Sequence, residues 1–267
     1  MSYSEFKTED EFKSQCGYNI DGVWYPRVTR IVDMKSKPAL YRFYGSVGYE
    51  AGKRISEKSA AEGTLVHEVA EQLLIGEIPS HVDPSIQPAM RGLWEFLQKN
   101  QIEVQPDHLE KQIHCKDNRY AGTLDALAKI GGKFGVLDIK TSMEIYRDYN
   151  IQTSAYANAL QSEFPELKHR WILRIDQAQT CKRCGATRRT KGGREKIRLA
   201  RSLFNGFNNH YDIAPPCPKD EHDWSDSKGI VELKELPKSW KNDFKAFIGA
   251  KALWEWENHD WLKKIGY

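Results

Sequence analysis

The stretch 120-YAGTLDALAKIGGKFGVLDIKTS-142 decides the fold of this chain. Two runs with the character of β-strands, 120–130 and 133–139, are separated by Gly131 and Gly132. A two-residue glycine turn between such runs predicts a β-hairpin. The second run is apolar on both faces, which is typical of a strand at the centre of a sheet. Further strands are predicted at 102–104, 111–115 and 169–176, with helical patterns at 37–76 and 84–99, so the chain is predicted to be α/β.

Charged residues close the second run of this hairpin. Asp138 and Lys140 are two residues apart, and alternation along a strand directs them to the same face. Asp125, in the partner strand, can converge on them. Two carboxylates supply the oxygen ligands that Mg²⁺ prefers, and such a metal can activate a bound water that Lys140 orients or deprotonates. The alternative for an isolated Asp-x-Lys sequence is a surface ion pair at a strand end.

Two helical patterns flank the hairpin in sequence and add further polar residues. In the predicted helix 151–161, Gln152 and Tyr156 are four residues apart and lie on one face, as a polar edge or as groups that reach the site or a DNA phosphate. In the helix before the hairpin, His67 and Glu71 also share a face. His67 is either a hydrogen-bonded structural residue or a metal ligand. Glu71 is a further metal ligand, a group that lies just outside the ligands, or a solvated charge, and the sequence leaves these three roles open.

Taken together, these motifs resemble those of the PD-(D/E)XK nuclease superfamily, in its RecB-like exonuclease branch. The residues that carry the resemblance are Gly63-Thr64-x-x-His67, Gly122-Thr123-Leu124-Asp125, Asp138-Ile139-Lys140-Thr141-Ser142, and Gln152 with Tyr156. The segment 23-VWYPRVTRI-31 is similar to the entry of bacteriophage and mitochondrial genome-maintenance exonucleases. Two departures from the superfamily's name are that no proline precedes Asp125 and that the second acid is Asp instead of Glu.

The resemblance implies a restriction-endonuclease-like core, with a central mixed sheet flanked by helices, and metal-dependent hydrolysis of DNA. The catalytic residues it implies are Asp125, Asp138, Lys140, Gln152 and Tyr156, the last two positioning the scissile strand. The implied ligands of Mg²⁺ or Mn²⁺ are His67, the two aspartates and the backbone carbonyl of Ile139. The resemblance favours an exonuclease that acts on free ends, preferring single-stranded DNA, in DNA replication, repair or recombination.

A second metal site is predicted further along the chain. Cys181-Lys182-Arg183-Cys184-Gly185 is typical of a knuckle that holds a metal through thiolates. Cys217 and His222 complete a tetrahedral zinc site, which would stabilise an inserted, basic, zinc-finger-like subdomain at 178–226. One alternative is a redox or unused cysteine pair. Another is a 4Fe-4S cluster that uses Cys16 with the three later cysteines, in a nuclease of CRISPR-adaptation type.

The segment 181–201 is rich in lysine and arginine and contains a single acid, Glu195. Clustered cations bind DNA by displacing counterions from its phosphates. The residues predicted to bind DNA are Arg183, Arg188, Arg189, Lys191 and Arg194. A solvated, flexible loop is the alternative for the segment. For the whole protein, the alternative of a different class is a non-catalytic nucleic-acid-binding module whose working part is this insertion.

Length and composition are consistent with one nuclease domain over 1–267. The chain has 267 residues, of which 40% are hydrophobic, enough for a sizeable core. A polar segment is predicted at 1–20 and a C-terminal helix at 238–262. The formal net charge of +3 says little about nucleic acid. Since there is no long apolar run and no apolar core of a signal peptide, we expect an intracellular, cytoplasmic protein without membrane contact, or a viral protein acting in the host cell.

Overall fold

The computed structural model describes residues 6–200, 217–218 and 220–267. The helices are α1 (Glu9–Cys16), α2 (Val28–Val32), α3 (Pro38–Val47), α4 (Tyr49–Leu74), α5 (Gln87–Lys99), α6 (Asp148–Leu160), α7 (Lys241–Glu257) and α8 (His259–Lys264). The strands are β1 (Gly17–Ile20), β2 (Val23–Pro26), β3 (Ile102–Cys115), β4 (Tyr120–Ile130), β5 (Lys133–Lys140), β6 (His169–Thr180), β7 (Thr187–Lys191), β8 (Arg194–Arg198) and β9 (Lys228–Glu235). The chain is therefore α/β, as predicted.

The main sheet is mixed. β3 pairs antiparallel with β4, and β4 pairs antiparallel with β5. β5 pairs parallel with β6, a connection that needs a long crossover, and α6 lies within it. β9 pairs antiparallel with the other edge of β6. β7 and β8 form a hairpin that pairs with the last residues of β6, while β1 and β2 form a separate two-stranded sheet. The prediction of a central mixed sheet flanked by helices is confirmed.

The hairpin of β4 and β5 forms where the glycine pair predicts it. Gly131 and Gly132 have φ angles of 55° and 78°, and two positive values in succession are what a tight type I′ turn requires. β5 lies between β4 and β6, with its residues 135–139 buried. The prediction of a central strand that is apolar on both faces is therefore confirmed.

Two core clusters cover the two faces of the sheet. The first contains buried residues of α1, α2, α6, α7 and α8, and the second contains buried residues of α4 and α5. In β5, Val136 belongs to the first cluster, whereas Leu137 and Ile139 belong to the second. Alternation then directs Asp138 toward the face that α6 covers. The two layers of helices thus approach the end of β5 from opposite sides.

Within the predicted polar segment at 1–20, residues 9–16 form α1 and residues 17–20 form β1; residues 1–5 lie outside the described residues. Thr8 caps α1 by accepting a hydrogen bond from the backbone N–H of Glu11 at 3.1 Å. Phe12 is fully buried and stacks on Trp254 and Trp261. The aromatic partners lie near the other end of the chain, so the segment itself carries little sign of its burial.

The predicted C-terminal helix at 238–262 is wrong in its continuity, because α7 ends at Glu257 and α8 begins at His259. Asn258 lies between them, and its side chain donates to the carbonyl of Trp254 at 2.8 Å. Asparagine side chains compete in this way with the backbone donors of a helix, which favours a break.

The predicted insertion at 178–226 lies between β6 and β9 and includes β7 and β8. Its residues 201–216 and 219 lie outside the described residues. Within the part of the chain that the structure describes, none of the helices combines the length and the apolar character that crossing a bilayer requires.

Candidate active site and metal centre

The candidate active site lies where β4 and β5 separate. Their ladder runs from the turn to the pair Ala126 and Leu137, and Asp125 and Asp138 come directly after it. Oδ2 of Asp125 accepts a hydrogen bond from the backbone N–H of Ile139 at 2.6 Å. A carboxylate therefore takes the place of a backbone acceptor at the open end of the hairpin. This contact fixes Asp125 beside Asp138, as strand pairing had predicted.

Asp138 and Lys140 form an ion pair on one face of β5. The ammonium of Lys140 lies 2.7 Å from Oδ2 of Asp138, and the two side chains are 18% and 1% exposed. The pair is therefore not the exposed surface pair that was the alternative prediction. Lys140 is thus the partner of Oδ2 of Asp138, and Oδ1 accepts a hydrogen bond from Gln152. A divalent cation would have to share this carboxylate with the ammonium.

α4 brings His67 to the same place. Nδ1 of His67 lies 3.7 Å from Oδ1 of Asp125. Gly63, one turn earlier in α4, is buried, and a Cβ there would lie 3.1 Å from the hydroxyl oxygen of Thr141. A glycine at this position lets the helix approach the end of β5 closely. The spacing of Gly63 and His67 thus has a local physical cause.

α6 holds Asp138 from the opposite layer. Nε2 of Gln152 donates to Oδ1 of Asp138 at 3.2 Å and to the hydroxyl of Tyr156 at 3.0 Å. Tyr156 is 2% exposed, and a Cβ at Gly122 would lie 2.8 Å from its ring. Tyr156 is therefore buried against β4, and its burial does not fit the predicted contact with a DNA strand. Its hydroxyl instead orients Gln152, which orients Asp138.

Burial sets the charge states of the site. It raises the pKa of Asp125 and of Asp138 to about 6, against the opposing effect of Lys140. Burial lowers the pKa of Lys140, but Asp138 and Asp125 raise it by more, so its pKa lies above the ordinary value. For His67, burial first and Lys140 second lower the pKa. At neutral pH the carboxylates are therefore ionised, Lys140 is protonated and His67 is neutral.

This donor set fits a divalent cation in its chemistry. Two ionised carboxylates and one neutral imidazole are the ligand types that Mg²⁺ and Mn²⁺ accept. The backbone of Ile139 lies beside these three side chains. Its N–H donates to Asp125, and a backbone hydrogen bond with Ile139 raises the pKa of His67. Among the described residues, the Cys/His group described below is the one whose ligand atoms already lie close enough together to hold a metal ion. The ligand atoms of His67, Asp125 and Asp138 lie further apart.

Glu71 and Glu110 border the site with a second acidic pair. Glu71 lies one turn after His67 in α4, and burial and Glu110 raise its pKa to about 7. Glu110 has a φ angle of 44°, in the left-handed region, and follows the shift of register in β3 between Val104 and Leu109. Its charge raises the pKa of Asp125 as well. Sequence analysis did not identify Glu110, because no local pattern marks the shift of register.

Glu71→Gln is expected to stabilise the protein at pH 8 by about 1 kcal/mol, after allowance for partial exposure of the carboxyl group. A carboxyl with a raised pKa in the folded state opposes folding progressively as the pH rises from its unfolded value, near 4.5, to about 7. The gain should therefore vanish at pH 4. Thermal unfolding without added divalent cation measures it. Glu57→Gln, at an exposed position of the same helix, is the control. Equal melting temperatures at pH 8 for Glu71→Gln and wild type would contradict the prediction.

The predicted second site is assembled in the structure. The ligand atoms of Cys181, Cys184, Cys217 and His222 all lie within 4.8 Å of one another, so this group could hold a metal ion. Sγ of Cys181 lies 3.9 Å from Sγ of Cys217, and Sγ of Cys184 lies 3.5 Å from Nδ1 of His222. Gly185 has a φ of 70°, and its N–H donates to the carbonyl of Cys181 at 2.9 Å. The knuckle therefore needs this glycine, as predicted.

The surroundings of this group shift two of its thiols in opposite directions. Burial opposes ionisation of Cys181, but hydrogen bonds from the backbone of Cys184 and from His222 lower the pKa of its thiol, whereas burial and the neighbouring Cys184 raise the pKa of Cys217 to about 11. The ring of Trp224 stacks on His222 with 4.5 Å between the centroids. Cys16 lies in the first core cluster, whereas Cys181 and Cys184 form a separate one. The group therefore consists of three cysteines and His222, without Cys16.

The residues predicted to bind DNA all have intramolecular partners. Arg189 Nε lies 2.7 Å from both carboxylate oxygens of Asp176, and its Nη2 donates to the carbonyl of Thr141 at 3.0 Å. Lys191 donates to the carbonyl and hydroxyl oxygens of Thr141 at 2.6 and 2.7 Å. The remaining contacts are Arg183 with the carbonyl of Glu221 (3.4 Å), Arg188 with Gln179 (2.9 Å) and the ring of Trp224 (4.7 Å), and Arg194 with the ring of Phe43 (4.8 Å).

Comparison with known proteins assigns no family to this chain. No protein-family model matches the chain, and no curated protein matches it significantly. Three observations carry the interpretation. Two aspartates, one buried and one partly buried, lie at the open end of a hairpin, an ammonium is paired with the buried one, and an imidazole from a helix faces the other.

Proposed function

We propose that the protein is a metal-dependent DNA exonuclease of the PD-(D/E)XK type, from the RecB-like branch, which hydrolyses phosphodiester bonds. The observation that carries the proposal is the buried ion pair of Asp138 and Lys140 beside Asp125 and His67. A buried carboxylate is costly unless it is paired or binds a metal, and Asp138 is paired with an ammonium that is itself only 18% exposed. A strand end that serves only the fold has no need of this arrangement.

His67, Asp125, Asp138 and the carbonyl of Ile139 would hold Mg²⁺ or Mn²⁺. When bound, such an ion supplies a Lewis acid for the phosphoryl oxygen and lowers the pKa of water. Asp125 accepts a hydrogen bond from the N–H of Ile139 and so fixes the backbone of β5 at this residue, next to the peptide that carries the carbonyl of Ile139. Gln152 fixes the second carboxylate, Asp138, from the other side.

Lys140 is protonated in the charge state that the two aspartates impose. It therefore acts as a hydrogen-bond donor, which orients the attacking water or stabilises the negative charge that develops on the phosphate. Its ammonium is already fixed by Asp138 at 2.7 Å, so little reorganisation is needed when the substrate binds. Tyr156 contributes by orienting Gln152, and it does not touch DNA because it is buried.

The substrate we propose is DNA with a free end, preferably single-stranded, in replication, repair or recombination. The hairpin of β7 and β8 lies beside Thr141, the residue after Lys140. Arg194, one of the predicted DNA-binding cations, is exposed on β8, and its charge would suit a polyanionic substrate. For the Cys/His group we propose zinc, because a Cys₃His set is a typical structural zinc site. A CRISPR-adaptation nuclease with a 4Fe-4S cluster receives less support, since Cys16 lies in another core cluster.

A non-catalytic nucleic-acid-binding module is the second candidate, favoured by the basic insertion. Against it, Arg189 and Lys191 are engaged with Asp176 and Thr141, and so are less available for a phosphate. A module that only binds would also have no use for the buried pair of Asp138 and Lys140.

The test is digestion of end-labelled single-stranded and double-stranded DNA, linear and circular, with Mg²⁺, Mn²⁺ or EDTA. We expect metal-dependent loss of linear strands, with circles spared and with no loss in EDTA. The Lys140→Ala protein is the negative control and should not digest any substrate at a comparable rate. Binding without cleavage under every metal would contradict the proposal and transfer the function to the basic insertion.

A further inference from the structure

Thr141, the residue directly after Lys140, is held by the inserted hairpin of β7 and β8. Lys191, the last residue of β7, donates to both the carbonyl and the hydroxyl of Thr141. Arg189 donates to the same carbonyl. From the other side, Gly63 of α4 allows the helix to contact the hydroxyl of Thr141. The end of β5 is thus enclosed between α4 and the insertion.

The tip of the hairpin is anchored on the helix that carries His67. The N–H of Gly192 lies 3.1 Å from each carboxylate oxygen of Glu62, the residue before Gly63 in α4. Gly192 has a φ of 61°, and any side chain there would collide with Ser59, one turn earlier in α4. Glycine is therefore required at this contact for conformation and for space. The hairpin reaches both elements that form the candidate active site, β5 and α4.

The base of the hairpin depends on the Cys/His group. β7 pairs with β6 only through Gln179 with Arg188 and Thr180 with Thr187, and every residue of β8 is exposed. The buried cluster at the base consists of Cys181, Cys184 and Ala186, packed against Cys217 and Trp224. Among the described residues this cluster is small and supplies little hydrophobic stabilisation, which a metal bound by the Cys/His group would supplement.

We propose that the β7–β8 hairpin is a positioning element of the nuclease site. In this proposal Lys191 and Arg189 hold Thr141, and through it Lys140, while the metal bound by the Cys/His group holds the hairpin in place. The proposal rests on the proposed function, because Lys140 matters only if the site is catalytic. The metal centre then influences hydrolysis without touching the DNA. The ammonium of Lys191 also acts electrostatically on His67, which is consistent with its place at the edge of the site.

The test compares three variants of the full chain. Lys191→Met removes the ammonium that holds Thr141 and keeps most of the aliphatic chain. Cys184→Ser removes one metal ligand. Lys196→Met, at an exposed position of β8, makes the same change of charge on the same hairpin and is the matched control. The measurements are zinc content, hydrogen–deuterium exchange of the segment 138–145, and kcat and KM for single-stranded DNA measured separately.

Lys191→Met is expected to keep its zinc, to exchange the segment 138–145 about tenfold faster, and to lose about tenfold or more in kcat with little change in KM. Cys184→Ser should lose zinc and show the same faster exchange in 138–145, although this segment contains none of the four residues of the Cys/His group. Lys196→Met should show wild-type exchange there, and any effect on hydrolysis should appear in KM, because it alters only long-range attraction of DNA.

Wild-type exchange of 138–145 in both Lys191→Met and Cys184→Ser would overturn the proposal. Equal effects of Lys191→Met and Lys196→Met, confined to KM, would also overturn it and assign Lys191 to phosphate binding. If Cys184→Ser does not fold, Lys191→Met decides alone, since its metal ligands are intact. A wild-type protein that hydrolyses no DNA overturns the proposed function, whereas the exchange measurements report on the coupling independently of activity.

Discussion

Lys140→Ala is expected to lower kcat for DNA hydrolysis by about 1,000-fold while DNA affinity stays within about tenfold. Two losses combine in this variant. The donor that orients the water or stabilises the phosphate disappears. Asp138, which is 1% exposed and has Lys140 at 2.7 Å, also loses its counter-charge. Its pKa, already about 6, rises further, so that a larger fraction of the carboxyl is protonated and unavailable as a metal ligand at neutral pH.

The Lys140→Arg variant distinguishes the loss of the hydrogen-bond donor from the loss of the positive charge beside Asp138. A guanidinium keeps a positive charge beside Asp138, but it cannot place a single donor where the ammonium was. We therefore expect near-normal metal affinity with a low kcat. Lys133→Ala, an exposed lysine paired with Glu235 at the turn of the same hairpin, is the control and should hydrolyse DNA within about twofold of wild type. A Lys140→Ala protein that retains more than about a tenth of the wild-type kcat would contradict a catalytic role for this residue.

Arg170→Met is expected to lower the free energy of unfolding by about 3–5 kcal/mol. The Arg170 side chain is 0% exposed and lies 3.1 Å from Asp243. It also donates to the carbonyls of Asn150 and Pro237 at 2.9 and 3.0 Å, and to the hydroxyl of Thr153 at 3.2 Å. Methionine fills much of the space but leaves these acceptors without a donor. Urea unfolding followed by tryptophan fluorescence measures the change.

The substitution of Arg170 should also affect the candidate site, because Asn150 and Thr153, which Arg170 binds, flank Gln152 in α6. A less firmly held helix orients Gln152, and therefore Asp138, less well, so kcat should fall in Arg170→Met even where the protein is fully folded. Arg198→Met is the control. It removes an exposed pair with Glu144, 2.8 Å apart, and should cost less than about 1 kcal/mol. Equal stability losses in the two variants would show that the buried network of Arg170 contributes no more than a surface ion pair.

The features that sequence analysis predicted correctly are those with a local period. The turn follows from the pair Gly131 and Gly132, the central strand β5 from a run that is apolar on both faces, and the shared face of Asp138 and Lys140 from two-residue alternation. The placement of His67 follows from helical periodicity only after the resemblance selects it from other helical histidines. The Cys/His group could be predicted because thiol spacing of this kind has few other uses.

The features that were missed depend on contacts between distant parts of the chain. Arg189 and Lys191 look like a free basic surface in the sequence, yet they bind Thr141 across 48 and 50 residues. Tyr156 shares a helical face with Gln152, but only the fold shows that Gly122 leaves space for its ring in the core. The partners of Phe12, Trp254 and Trp261, lie near the opposite end of the chain. No periodic pattern within a short window contains such information.

The two ends of the insertion meet. The N–H of Thr180 lies 3.1 Å from the hydroxyl of Ser225, whose own N–H donates to the carbonyl of Thr180 at 3.0 Å. Just before and after them, β6 and β9 are antiparallel neighbours. Chain can be gained or lost at such a joint without moving either strand, and the entropic cost of a longer loop grows only slowly. The knuckle and its hairpin therefore form a unit that a short turn between β6 and β9 can replace without changing the pairing of these strands.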